Sequence, residues 1–445
     1  MPHGRGEAYP SRTWRKTELK EEIKLEVFAV KDANRTMAVL ARARAALAGY
    51  VVITCAACAL AQDWPQWRGP GRDAKVTGFT APQKWPKELT QKWRVTVGLG
   101  DSTPALVGNR LYVFTRQGNE EVTLCLDADN GKELWRDKYE AVVVTGGPSK
   151  EHPGPRSSPT VAGGKVITLG VGGILSCLDA TAGKLLWRKD DFPGAWPQFF
   201  VAMSPIIVDG LCIAHLGKEG NGALVAYDLA TGNQKWKWSG QGPTYSSPVL
   251  MTVEGTKQLV VHAEKSLVGI AVADGRLLWQ VAVPPQMRFY SSVTPIADRQ
   301  TVIYTGQGKG TKALKVEKQG DGFAASELWS NSDLGTGYNT PVLKNGLLFG
   351  ISDPGNIIYC MNAQNGEMLW TGTNKYGRFG SVIDASSVIL ALPLSELLVI
   401  EPSDKEYKEL AGYKVADSQI YACPVVAGNR IFIKDWDCLT LWTIE

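Results

Sequence analysis

The sequence predicts an all-β fold, an eight-bladed β-propeller closed into a ring by its N-terminal strand. Three observations carry that prediction. A turn followed by a Trp-bearing strand recurs along the chain, as in L-D-A-D-N-G-K-E-L-W ending at Trp135. A hydroxyl residue followed by Pro and a short alternating strand recurs between those turns. The hydroxyl steps are spaced 55, 46, 43, 47, 46, 41 and 42 residues apart, the period of a four-stranded propeller blade. Hydrophobic residues make up 44% of the 445 and charged residues 21%. The first figure excludes a disordered chain and the second a long coiled coil.

Residues 1–36 read as a polar extension with eight basic and six acidic side chains. Met37 is the expected true start, which makes 1–36 an upstream misread or a disordered segment. From there, 37–61 reads as a signal peptide. Arg42 and Arg44 form the basic region, Ala45 to Leu60 the apolar run, and Ala59-Leu60-Ala61 the small-residue cleavage site. The apolar run is 16 residues, short of the roughly 20 a membrane span needs. The mature chain is therefore expected to be exported without a transmembrane span, to the periplasm or the outer membrane. Two of the eight cysteines, Cys55 and Cys58, lie in this leader and form neither a lipobox nor a haem-attachment motif.

Residues 62–84 are rich in Trp and Pro. D-W-P-Q-W-R-G-P-G-R-D (63–73) is expected to form a stiff extended strap over the propeller, which occupies 85–445. L-T-Q-K-W-R-V-T-V follows, carrying Trp93 without a preceding turn. The Trp strands then recur at Trp135, Trp187, Trp236, Trp279, Trp329 and Trp370, with a degraded copy between Tyr407 and Tyr413. In each turn Asp or Asn bonds back to the chain and Gly supplies a positive φ. The hydroxyl steps are Thr103-Pro104, Ser158-Pro159, Ser204-Pro205, Ser247-Pro248, Thr294-Pro295 and Thr340-Pro341, with weaker copies at Ser381-Val382 and Cys423-Pro424. The chain ends after C-L-T-L-W-T-I-E, where a last Trp strand is missing. The Trp93 strand is the piece that completes it, and ring closure removes an open sheet edge.

The A-x-D-x-x-x-G-x-x-x-W repeat resembles that of the pyrroloquinoline-quinone (PQQ) type propellers from about residue 85 to 445. The 63–73 stretch also looks like the N-terminal hallmark of exported PQQ-like propellers. The resemblance implies that each Trp docks on the neighbouring blade. It implies one of two functions, because the family divides into PQQ-dependent alcohol or sugar dehydrogenases and non-catalytic, BamB-like scaffolds of the cell envelope. The dehydrogenases use a vicinal Cys-Cys disulfide against the quinone, a Ca²⁺ held by Glu, Asn and Asp, and a catalytic Asp. This sequence has no Cys-Cys pair, and no Glu/Asn/Asp cluster stands out.

The expectation is accordingly a non-catalytic binding scaffold with a protein partner in the envelope, no catalytic residue, no metal and no cofactor. A quinoprotein oxidoreductase using PQQ with calcium is the alternative. The position three residues before each hydroxyl-Pro step holds Asp101, Arg156, Ala202, Tyr245, Ser292, Tyr338, Phe379 and Tyr421, with Tyr290 and Arg378 close by. These side chains are candidates to ring one mouth of the channel, for stacking on a flat ligand or gripping a peptide. Packing between blades is the competing reading. Four histidines leave histidine catalysis and zinc poorly supported. His215 and His262 read as satisfied core residues, and His152 lies in the longest inter-blade loop. The formal charge of +4 belongs to the leader, since 62–445 holds 38 basic and 38 acidic residues. Nucleic acid is therefore not an expected partner, and the ring is expected to be a monomer.

Overall fold

The computed structural model describes residues 63–283, 292–306 and 308–444. Thirty-two strands form eight four-stranded antiparallel sheets, and the short helix Gly147–Glu151 is the one helix among the described residues. Blades 1 to 7 are continuous in sequence. They run from Ala105 to Glu140, Thr160 to Lys189, Ile206 to Trp238, Val249 to Ala282, Ile296 to Asn331, Val342 to Thr371 and Gly380 to Lys414. Blade 8 takes Val425–Ala427, Arg430–Lys434 and Cys438–Thr443 from the C-terminus and its outer strand, Thr90–Thr96, from the N-terminus. Thr90 pairs with Thr443, Trp93 with Leu441 and Thr96 with Cys438. No helix among the described residues is long and apolar enough to cross a membrane.

The innermost strands of blades 1, 2, 3, 5, 6 and 8 are three residues long. An inner strand lines the channel with one edge free, so a Pro at its start removes no ladder bond. The hydroxyl residue before that Pro supplies a bond of its own. The Thr103 N–H donates to the Ser158 hydroxyl at 3.0 Å, Ser158 to Ser204 at 2.9 Å, and Ser204 to Ser247 at 2.9 Å. Ser247 donates to Thr294 at 3.0 Å, Thr294 to Thr340 at 3.1 Å, and Cys423 back to Thr103 at 2.9 Å. A belt of amide-to-hydroxyl bonds thus joins blade to blade around the channel, interrupted at blade 7, whose inner strand has Ser381-Val382 in place of a hydroxyl-Pro step.

On the outer strands the indole N–H crosses to the next blade. Trp93 donates to the Ala128 carbonyl, Trp135 to Ala180, Trp187 to Leu229, Trp236 to Val272, Trp329 to Ala363 and Trp370 to Ser403, all at 2.8–3.2 Å. Every outer strand carries a register shift beside its Trp position, for example between Cys125 and Leu126 opposite Trp135. Such a bulge re-aims a side chain; in blades 1 and 5 the residue it leaves unpaired points outward. This explains why Leu134 and Leu328 are exposed.

Trp279 differs. It shares an apolar cluster with the blade 5 residues Val302 and Leu314, but its N–H donates to Gln258 of its own blade. Blade 5 replaces the Asx-Gly turn with a long hairpin, Gly310–Gln319 and Gly322–Asn331, so the usual carbonyl acceptor is missing.

The 63–76 segment is not the extended strap anticipated from its composition. It is a turn-rich loop inserted into the channel, with Arg68, Arg72 and Ala74 at φ of 56–59°. Trp64 exchanges backbone bonds with Leu106 of blade 1, and the Pro65 carbonyl accepts from Val161 of blade 2. Arg72 donates to the Ser204 and Pro205 carbonyls of blade 3, each at 2.8 Å. Arg68 donates to the Thr340 and Pro341 carbonyls of blade 6 at 2.7 and 2.8 Å. Val76 and Ala74 bond to Asp384 of blade 7. The loop therefore plugs the channel and touches five blades.

Candidate functional site

The plug leaves a blind socket of about 390 Å³ open at the opposite mouth. Trp67 and Arg68 line its floor. All eight positions three residues before the hydroxyl-Pro steps line its wall: Asp101, Arg156, Ala202, Tyr245, Ser292, Tyr338, Phe379 and Tyr421. Arg378 is exposed at the rim, its guanidinium 5.9 Å from the centre of the Tyr338 ring. Tyr290 lies outside the described residues. The topology explains this convergence. Each inner strand starts at the mouth, so a fixed offset before its first residue recurs at one height around the ring.

Aromatic rings form an arc along one side. Tyr338 and Phe379 lie 4.7 Å apart, Phe379 and Tyr421 4.8 Å, and Tyr421 and His152 4.7 Å between centroids. His152 also meets Trp436 edge-on at 5.3 Å. These separations fit tilted and edge-to-face ring pairs. The loop after blade 1 brings in His152, whose Nδ1 lies 3.1 Å from Asp101 Oδ2. Arg156 is pinned by two backbone carbonyls, Phe199 and His152, each at 2.8 Å. Tyr245 in turn accepts from the Phe199 N–H at 3.1 Å.

Charge at the socket is shaped by burial. Desolvation lowers the pKa of Arg156, and lowers that of Arg68 to about 10. Both remain cationic at neutral pH. Behind Asp101, Lys434 is buried and donates to the Asp435 and Trp436 carbonyls at 2.7 and 3.0 Å. Burial pulls its pKa down to about 8, with Asp101 and Asp435 opposing. Burial also raises the Cys423 thiol to about 11, so the thiol stays protonated. Asp101 is the only carboxylate among the lining residues, and it already faces His152.

Three contributors have no clear mark in the sequence: His152 reads only as part of a long loop, Trp67 as part of a strap, and Lys434 as an ordinary strand residue. Only the E-H-P-G-P-R interruption of the repeat marked His152 as unusual. His215 and His262 stay in the core. His215 Nε2 lies 3.0 Å from the Gln241 carbonyl, and burial depresses its pKa to about 4. His262 falls to about 3, with Lys309 adding to burial, and its Nδ1 has no partner among the described residues.

The donor set does not fit the quinone site that the dehydrogenase resemblance implies. The lining holds one cysteine, Cys423, one carboxylate, Asp101, and one asparagine, Asn339. Both polar ends of the Asn339 amide are engaged by the Ile351 backbone. All six described cysteines are unpaired. Asp435, Asp437 and Cys438 form the one grouping of metal-ligand type among the described residues. It is not part of the socket lining, and Arg94 neutralises Asp435 at 2.9 Å.

The sequence profile of the outer membrane protein assembly factor BamB family matches residues 83–237 and 120–372. Over 392 residues the chain is 23% identical to BamB of Moranella endobia (strain PCIT), covering 82% of this chain and 92% of the relative. It is also 26% identical over 226 residues to methanol dehydrogenase (cytochrome c) subunit 1 of Methylorubrum extorquens. That match covers 46% of this chain and 35% of the relative. The crystal structure of BamB from Moraxella catarrhalis superposes with a TM-score of 0.61 at 14% identity, over 80% of this chain and all of that one. Quinohemoprotein alcohol dehydrogenase from Comamonas testosteroni gives 0.62 at 14%, over 86% of this chain and 80% of that one. The two structural likenesses show a shared fold alone. Together, the profile match over more than half of the sequence and the PQQ-type repeat place this chain in the BamB family of PQQ-like β-propellers.

Proposed function

We propose that the protein is an exported, non-catalytic scaffold of the cell envelope, BamB-like in the broad sense, that presents its channel mouth and loops to a protein partner. The observation that carries this reading is the composition of the socket. It combines an arc of aromatic rings with pinned arginines, and its single carboxylate is already engaged by His152. Such a surface suits recognition more than chemistry. The signal peptide proposed for 37–61 would deliver it to the periplasm or the outer-membrane surface as a monomeric ring. The formally neutral mature chain gives nucleic acid no electrostatic hold.

The similarity to methanol dehydrogenase favours a second reading, a quinoprotein oxidoreductase using PQQ with calcium. Purified protein titrated with PQQ and Ca²⁺, followed by quinone absorbance and dye reduction with alcohols and sugars, separates the two. The scaffold reading expects neither stoichiometric binding nor turnover. Stoichiometric binding with turnover would replace it by the second reading.

A further inference from the structure

We infer that the socket receives an acidic partner segment carrying one large aromatic or aliphatic side chain, entering from the mouth. The inference rests on the scaffold reading and deepens it by naming the partner's chemistry. Three features of the socket define the occupant.

The first is shape. The 63–76 plug closes the other end, so a chain cannot thread through the ring, and only a loop tip or a chain end can enter. A volume of about 390 Å³ suits a bulky side chain with part of its backbone, near the low end of ligand-pocket sizes.

The second is the wall. Tyr338, Phe379 and Tyr421 present a continuous aromatic surface above Trp67. Tyr338 keeps 42% of its surface exposed. Ring edges and faces of this kind accept another large apolar group.

The third is charge. Arg156 spends two of its five N–H donors on backbone carbonyls. Exposed Arg378 makes no ion pair among the described residues and is held only over Tyr338. Arg68 adds a buried cation beneath. Against these stand Asp101, turned to His152, and Glu151, whose charge is felt by Tyr421. The socket therefore carries excess positive charge, which favours carboxylates on the entering segment and disfavours basic ones.

The test uses the full mature chain and three fluorescein-labelled pentapeptides. One has four glutamates around a central phenylalanine, one has four lysines around it, and one has alanine at the centre of the four glutamates. Fluorescence anisotropy should show saturable binding of the glutamate–phenylalanine peptide that weakens as salt rises. The lysine and alanine peptides should bind at least about tenfold more weakly. Arg378→Glu should weaken the first peptide at least about fivefold, and Trp67→Ala should weaken it with the fold intact by circular dichroism. Lys184→Glu makes the same charge change on an exposed turn at the opposite end of blade 2 and should leave binding unchanged. Equal binding of all three peptides, no binding of the first, or no response to Arg378→Glu overturns the inference. Its failure is distinguishable from that of the scaffold reading. A photo-crosslinker at position 378 that stays silent, while one on an outer blade edge captures a specific envelope protein, defeats the socket and leaves the scaffold. PQQ turnover defeats the scaffold whatever the peptides do.

Discussion

At the scale of single residues, the repeat asks two things of the same glycine. Gly183 has a φ of 69°, and a Cβ there would lie 2.5 Å from the Trp135 ring of the preceding blade. The turn needs the left-handed conformation, and the indole needs the vacant space. Gly210 separates the two demands. Its φ is 74°, but nothing lies within 4 Å of a Cβ built on it. Gly210→Ala should therefore cost only the conformational strain, about 1–2 kcal/mol. Gly183→Ala should cost that strain plus about 1–3 kcal/mol for displacing Trp135 from its seat and its bond to Ala180. Urea unfolding of the two variants checks the difference, and equal losses would show that the indole is not seated by the glycine. The sequence displayed the Gly-to-Trp spacing plainly. It could not display that the Gly of one repeat seats the Trp of the previous one, because that contact crosses between blades. The same limit applies to His152. Its pairing with Asp101 joins a long loop to the approach of the first inner strand, 51 residues apart, and no local pattern encodes it.

At the scale of elements, the plug is the piece whose conformation composition misrepresented. Its Trp and Pro content suggested stiffness, yet Arg68 and Arg72 decide its course. Each guanidinium is buried and satisfies two carbonyls at the start of an inner strand. Those carbonyls face the channel and have no ladder partner, so the plug serves as the missing strand edge. Arg68→Met together with Arg72→Met keeps much of the volume and removes those donors. Pro205 keeps the Thr160 hydroxyl as a donor; each of the three carbonyls left orphaned costs about 1–3 kcal/mol, partly offset by no longer burying two charges. The expected net loss is about 2–5 kcal/mol, concentrated on the plug. Tryptic cleavage after Lys75 should then accelerate at least about tenfold, while the blades stay resistant. Unchanged cleavage would mean that Trp64 and the Asp384 bridge hold the segment without the arginines. The hydroxyl-Pro steps were legible as a periodic mark of the inner strands, and their offset predicted which side chains share the mouth. The amide-to-hydroxyl belt was not legible, since five of its bonds run between residues 43 to 55 positions apart and the sixth spans 320. The bulge beside each Trp was hidden for another reason. A strict period of two cannot register one extra residue, although the outward Leu134 and Leu328 are its trace.

At the scale of the whole molecule, the ring is shut by pairing the two ends of the propeller sequence. Counting strands at the C-terminus was enough to foresee this, because a missing outer strand and an orphan Trp strand complement each other. The seam is held three ways. Thr90–Thr96 pairs along Cys438–Thr443, Trp93 reaches across to blade 1, and the Cys423 amide closes the inner belt on Thr103. The strand pairing and the Cys423–Thr103 bond join distant parts of the chain, so opening the seam frees a large loop and exposes two sheet edges. A covalent lock should therefore act on the ring as a whole. Thr96 and Cys438 are register partners, with Oγ1 and Sγ 3.6 Å apart. Thr96→Cys places a second thiol opposite the first at a separation suited to an antiparallel pair. Mild oxidation should form the crosslink, seen as a faster band on a non-reducing gel that reverts with dithiothreitol. Linking residues so far apart removes much of the freedom of the unfolded chain, worth up to about 5 kcal/mol in the chain-entropy view. The oxidised variant should therefore melt several degrees above its own reduced form. A rise that matches a Thr96→Ser control under the same oxidant would show that the gain comes from elsewhere. Absence of the crosslink would show that the side chains of positions 96 and 438 do not meet as this register places them.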